Sequence, residues 1–418
     1  MSLILIFAVT LLVAVLLSGL AQRSVLSSAV LFLVVGFVLG RGVFGFAKID
    51  AQSPAVTSLA QLALFSVLFT DGMRLSLHDL ISARNLPGRA LLLGMPLTLA
   101  GIGFLAHYLV GLPWLHSFLL GAALSPTDPV FASAIVGHEG VPSRLRRLLN
   151  VESGLNDGLA LPMVMITLHV LGATSVNIQA VSLDLIFGVL LGIALPWVVL
   201  KFESLGSFKS AIEYEPFNAF ALGLLIYGVS LALGINLYLA AFVGGITIAS
   251  TSRAVRDAFK PFGERLTELL KLAALLMFGA FISPDVLSGI VQLGGYIFAV
   301  LTIFLVRPVA LSIALLGADV DRREWLVAAW FGPRGFASII YGLLILNSGI
   351  SHGSYIFHLI ALVVAGSILI NSTTDVLAVG WLRDMGVRPY YRLPDEPHKN
   401  GSDAQRAQET TTNHPNQP

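Results

Sequence analysis

Four polar residues within two helical turns, Glu152, Ser153, Asn156 and Asp157, interrupt the apolar run LLNVESGLNDGLALPMVM over 148–165. Ionisable groups at bilayer depth are costly, and those that persist there usually move ions or protons. Ser153 and Asp157 are four residues apart and share a helix face, as do Glu152 and Asn156. Just upstream, Ser125-Pro126-Thr127-Asp128-Pro129 breaks a second apolar run. Small hard cations take oxygen ligands. The two segments offer the Asp157 and Asp128 carboxylates, the Ser153 hydroxyl, and the hydroxyl or carbonyl of Thr127. A carboxyl stripped of water can hold a proton near neutral pH and surrender it to such a cation. One group that binds either ion, but never both, is sufficient for exchange of one against the other.

The elements that must position these groups are membrane helices. Of 418 residues, 56% are hydrophobic and only 12% charged, with a mean hydropathy of +0.84; a soluble domain has roughly a quarter of its residues charged. The net charge of +1 gives no footing for nucleic acid, and the absence of cysteine excludes disulfides and thiolate metal sites. Nine histidines without ligand spacing argue against a resident metal centre. Windows of about 20 apolar residues, the length that spans the hydrocarbon core, number thirteen: 2–20, 25–44, 55–73, 90–110, 114–137, 148–171, 178–200, 217–233, 235–250, 266–287, 290–316, 324–346 and 355–380. The first has no basic residues ahead of it, so it reads as a span and not a signal peptide. Alternate loops hold 15 Lys and Arg against 2 in the others, which puts the N-terminus outside and the C-terminus in the cytoplasm. The run Arg144-Leu145-Arg146-Arg147 reads as part of that orientation signal and not as a lipid patch. The sixth span starts near Leu148 on the cytoplasmic side, so Asp157 lies about 13 Å along it, at roughly 1.5 Å per residue. Residues 383–418 are polar and too poor in apolar groups to build a core, and are expected to be disordered.

A repeat lies beneath this count. The fifth span is broken at Pro126 and Pro129, and the twelfth at Gly332-Pro333-Arg334-Gly335, 206 residues further on. Proline removes a backbone donor and frees carbonyls of the preceding turn. The breaks are seven spans apart, and an odd offset means that the two halves, about 1–175 and 215–382, cross in opposite senses, with 178–200 linking them. Paired interrupted helices in inverted halves point to a secondary transporter with a midplane site. Arg334 in the second break needs an anion, for which Glu152 is the expected partner, because a buried guanidinium left unpaired is costly. Arg307, before Pro308, is expected to face Asp128 or the half-helix C-termini. Lys271 is read as snorkelling toward the cytoplasmic face, with no chemistry. Asp71 reads as a helix-end residue in preference to part of an ion funnel, and His138 and Glu139 as ordinary loop residues.

SPTDPV (125–130), ESGLNDG (152–158) and GPRG (332–335) together resemble the NhaP/NHE branch of the cation/proton antiporters. The resemblance covers nearly the whole membrane region. It implies the NhaA/NapA-like fold, an all-α bundle of about 13 transmembrane helices with two discontinuous helices that cross, and a homodimer with a panel domain and a moving core. It implies exchange of Na⁺ or Li⁺ for H⁺ by elevator-type alternating access, with no cofactor and no enzymatic activity. By motif position Asp157 is the cation- and proton-binding residue, Asn156 precedes it, Thr127 and Asp128 are the unwound pair, Glu152 and Arg334 a core ion pair, and Arg307 a supporting basic residue. An Asn-Asp pair here implies one proton per cation, hence electroneutral exchange. Without a long regulatory tail or a nucleotide-sensing domain, the chain looks prokaryotic, which implies an inner membrane.

The competing readings are weaker. A carrier of organic anions on the same architecture would need basic groups at the breaks, which suits Arg334 but not Asp128 or Asp157. An intramembrane protease using two of Asp71, Asp128 and Asp157 as a dyad gives no reason for inverted broken helices, and a channel gives none for the repeat. K⁺ in place of Na⁺ stays open. No GxxxxGK[ST] is present, so an ion gradient is the expected drive.

Overall fold

The structure, a computed structural model, describes residues 3–21, 28–46, 53–76, 86–128, 143–172, 178–203, 215–282, 292–318, 320–330 and 332–383. Of the tail read as disordered, Arg383 ends the last helix and residues 384–418 lie outside the described residues, as do Pro129, the loop with His138 and Glu139, and the Ser153 side chain. Every described element is helical: α1 (Leu3–Ala21), α2 (Ser28–Phe37, prolonged by a π-type turn over Val38–Gly42), α3 (Pro54–Arg74), α4 (Leu86–Val110), α5 (Trp114–Leu124), α6 (Ser143–Gly172) and α7 (Ile178–Glu203). There follow α8 (Glu215–Leu233), α9 (Leu237–Thr251), α10 (Arg253–Phe281), α11 (Leu293–Ala314), α12 (Arg322–Trp330), α13 (Phe336–Asn347) and α14 (Gly353–Arg383).

Where they are described, the apolar windows fall largely on helix, interrupted at 125–128 and 332–335, and among the described residues seven segments are long and apolar enough to cross a membrane. Five shorter apolar helices accompany them, α5 and α13 included, which are short because the breaks cut them. The chain is a multi-pass membrane protein, and its surface carries the mark of lipid. On α7, Leu183, Ile186, Phe187, Leu190, Ile193 and Trp197 recur at helical spacing and stay about half exposed, a stripe that water would penalise and hydrocarbon would not. Polar residues set the helix starts. Ser53 accepts the Val56 N–H ahead of Pro54, Asn236 accepts that of Leu239, and Ser252 accepts that of Val255, each satisfying an orphan donor of the first turn.

The core is built where α3 packs on α9 and α10, α5 on α4 and α6, and α13 on α14. Helix α13 also touches α3, α5, α6 and α10, so the second break is ringed by the helices that carry the acidic residues. Within α11 a π-type turn over Thr302–Val306 sits directly ahead of Arg307-Pro308. Pro308 has no N–H for the preceding turn, and the widened turn leads into Arg307, which is buried.

Candidate functional site

The two interruptions meet in the core. The Asp128 N–H donates to the Pro333 carbonyl at 3.0 Å, and the N–H of Phe336, the first residue of α13, donates to Asp128 Oδ2 at 3.3 Å. In return Arg334 Nη1 donates to the Ser125 carbonyl at 3.0 Å, one residue past the end of α5. Each break thus sends its charged side chain to the cut end of the other's half-helix. A carboxylate meets exposed N–H groups and a guanidinium meets exposed carbonyls, the sign each helix end favours. Ser367 Oγ accepts the Arg334 N–H at 2.9 Å, and Asn371 Nδ2 donates to the Ser367 carbonyl at 2.8 Å, so α14 braces the second break.

Both glycines of that break are needed for contact. A Cβ on Gly335 would collide with Asp128 Cβ, and one on Gly332 with the Arg307 guanidinium. Gly335→Ala is expected to push the breaks apart and to lower stability by about 1–3 kcal/mol, the usual range for overpacking a tight site. Thermal melting in detergent reads this directly; an unchanged melt would mean that the breaks do not need this approach.

Asn156 and Asp157 reach the first break from α6. Asn156 Nδ2 donates to Thr127 Oγ1 at 2.7 Å and lies 3.4 Å from the Thr127 carbonyl. Asp157 is 5% exposed. Its backbone carbonyl accepts the Tyr341 hydroxyl at 2.7 Å, which fixes this turn of α6 against α13. Its Oδ1 has no hydrogen-bond partner among the described residues, nor has Asn156 Oδ1. A buried carboxylate oxygen left this way is costly; it suits a proton or a hard cation, whereas the Asn156 amide oxygen can serve a cation as a ligand but takes no proton.

The neighbouring acids are otherwise engaged. Asp71 takes Arg74 Nη1 at 3.1 Å, and Arg74 also holds Glu264 at 3.2 Å. Asp128 takes Lys271 Nζ at 3.6 Å, and Glu152 is clasped by Arg307. Among the described residues of this cluster, Asp157 is the carboxylate without an ion pair, and Asp71, Asp128 and Lys271 all act on it electrostatically.

Two expectations need correction. The Glu152–Arg334 pair is not formed: Arg307 Nη1 and Nη2 donate to Glu152 Oε1 and Oε2 at 2.7 and 3.0 Å, a bidentate geometry. Arg334 acts instead through the Ser125 carbonyl, with Nη2 lacking a partner among the described residues. The reason is placement: the π-type turn over Thr302–Val306 within α11 leads directly to Arg307, which meets Glu152, while Arg334 is drawn to the open end of α5. The half-helix end expected for Arg307 is still met, because its Nε donates to the Ala328 carbonyl near the end of α12 at 3.3 Å.

The second correction is Lys271, which does not snorkel. It is 9% exposed and turned inward to Asp128. Glu264, Thr267 and Lys271 fall on one face of α10 and meet α3 and the first break in turn: Glu264 with Arg74, Thr267 Oγ1 with Thr70 Oγ1 at 2.8 Å, Lys271 with Asp128. The signal that could have found this ladder is the 264, 267, 271 spacing itself. Asp71, taken as a helix-end residue, is 7% exposed and belongs to this cluster.

A sequence model of the sodium/hydrogen exchanger transmembrane family matches residues 8–379. The chain is 26% identical over 370 residues to the K(+)/H(+) antiporter NhaP2 of Shewanella sp. (strain MR-4), covering 87% of this chain and 64% of that protein. It is 24% identical over 385 residues to the K(+)/H(+) antiporter NhaP of Alkalimonas amylolytica, covering 91% of this chain and 67% of the relative. It therefore spans less than two thirds of the length of the Shewanella relative. Among solved structures, the sodium proton antiporter MjNhaP1 from Methanocaldococcus jannaschii at pH 8 superposes with a TM-score of 0.74 at 21% identity, over 91% of this chain and 96% of that one. The overall fold is shared.

Proposed function

Since the chain belongs to the sodium/hydrogen exchanger family, we propose that it exchanges a small monovalent cation for a proton across a membrane, with both ions competing for Asp157. The observation that carries this reading is the state of that carboxylate: buried, without an ion pair among the described residues, and with an oxygen left unsatisfied beside the broken backbone. Thr127 and Ser153, with Asp157, are the proposed cation ligands, and Asn156 and Asp128 shape the site. Asn156 spends its amide on Thr127 and brings no second exchangeable proton, which supports one proton per cation and electroneutral exchange.

The reciprocal capping of the two breaks supports crossed half-helices in inverted repeats, about 1–175 and 215–382 joined through 178–200, within thirteen spans. Packed as one unit with Glu152–Arg307, this core is suited to move as a body in elevator-type alternating access, with the rest of the chain forming a homodimer in a prokaryotic inner membrane. The loop charges set the N-terminus outside and the C-terminus in the cytoplasm.

For the cation, Na⁺ or Li⁺ is the first reading. K⁺ is the second, favoured by the names of the Shewanella and Alkalimonas relatives. The experiment is proton efflux from acid-loaded vesicles carrying the purified protein, on adding Na⁺, Li⁺ or K⁺. Efflux with at least one of these, unaccompanied by current, is expected. No efflux with any of them would sink the proposal, and efflux with K⁺ alone would decide for the second reading.

A further inference from the structure

Lys271 is the buried charge that cation/proton exchange at Asp157 leaves without a task. Its ammonium lies 3.6 Å from Asp128 Oδ2, the oxygen that also accepts the Phe336 N–H, and 5.9 Å from the centre of the Phe336 ring. From α3, Asp71 and Arg74 act on it electrostatically, and from α6 Asp157 does. Asp71 is held by Arg74. The cluster around Asp157 therefore has a second carboxylate at Asp128, and Lys271 covers it.

We propose that Lys271 is a resident cation of the ion site, a tethered ammonium that engages Asp128 and so makes the site selective for monovalent over divalent ions. The inference rests on the exchange reading above. Two carboxylates in one water-poor space, with oxygen ligands between them, are what a divalent cation such as Ca²⁺ or Mn²⁺ takes. With one carboxylate engaged by an ammonium fixed to the protein, a single negative charge is left for the mobile ion. A monovalent cation balances that charge; a divalent one brings an excess positive charge beside Lys271 into low dielectric, where like charges repel strongly. The ammonium is held by its helix and by the Phe336 face, so it cannot leave with the transported ion.

The test measures binding and transport separately. Wild-type protein is expected to gain thermal stability with its monovalent substrate and not with Ca²⁺ or Mn²⁺, since a ligand bound to the folded state raises its melting temperature. Lys271→Gln is expected to gain stability with Ca²⁺ or Mn²⁺, and its exchange to be inhibited by them at concentrations at least about ten-fold lower than the wild type, as an added carboxylate charge demands; Lys271→Arg is expected to behave as wild type. Equal divalent response in Lys271→Gln and wild type overturns the inference. Should Lys271→Gln fail to fold, Asp128→Asn serves: it strands the ammonium beside Asp157 and is expected to weaken monovalent affinity, and Asp128→Asn with Lys271→Gln to restore it. A double variant no better than Asp128→Asn alone overturns the inference as well. Loss of exchange in the wild type itself bears on the exchange reading, whereas these arms are read against a working wild type.

Discussion

Asp157→Asn is expected to reduce cation-driven proton movement in vesicles to the level of protein-free vesicles, while the protein folds and melts at an equal or higher temperature. The two halves of that result have one cause. The side chain is nearly isosteric after substitution, so packing against α13 and the Tyr341 hydroxyl bond to the Asp157 carbonyl are kept. What is lost is the one carboxylate of the cluster with no ion pair among the described residues. A buried group with an unmade bond costs about 1–3 kcal/mol, more if charged, so neutralising it removes a penalty. It also removes the only group proposed to take proton and cation in turn. Activity and stability therefore move in opposite directions, which distinguishes a site residue from a structural one. Undiminished exchange by Asp157→Asn would remove the core of the proposal; a lowered melt would mean that the carboxylate is held by a partner it does not show.

What the sequence made legible is what backbone chemistry dictates locally. Pro126 and the Gly332-Pro333 step cannot continue a helix, and both end one: α5 stops at Leu124, α12 at Trp330. The proximity of Asn156 to Thr127 followed from two polar segments with nowhere else to hide. Partner choice was not legible, because it depends on which residues the folded helices bring level. Arg307 and Arg334 are both buried and both near Glu152, and nothing in their spacing says which one reaches it; the turn ahead of Pro308 and the open end of α5 decide. Lys271 was misread for a related reason. It ends a charged stretch, Arg253 to Glu268, that belongs to a water-facing segment, so it looked like the last member of that segment. In the fold it is buried on a continuous helix, and Asp128, brought in from the first broken helix, turns it inward.

Breaking the Glu152–Arg307 pair from either side is expected to be the most destabilising change in this core, and replacing both ends together much milder. Both residues are 5% exposed and joined by two charge-assisted bonds at 2.7 and 3.0 Å. Removing one partner from such a pair leaves a charge in low dielectric and costs about 3–5 kcal/mol, whereas apolar replacement of both is often neutral. Glu152→Ala is the harsher single change, because it leaves two buried guanidiniums, Arg307 and Arg334, without the carboxylate that acts on both. Arg307→Ala strands Glu152 and also frees the Ala328 carbonyl, while Arg334→Ala loses the bond to Ser125 but no ion pair and should cost less than either. Detergent melts of Glu152→Ala, Arg307→Ala, Arg334→Ala and a Glu152→Leu/Arg307→Met double variant give the order. A double variant as unstable as the worst single one would mean that the two residues act independently. Arg334→Ala as costly as Glu152→Ala, with Arg307→Ala harmless, would restore the pairing that the sequence first suggested.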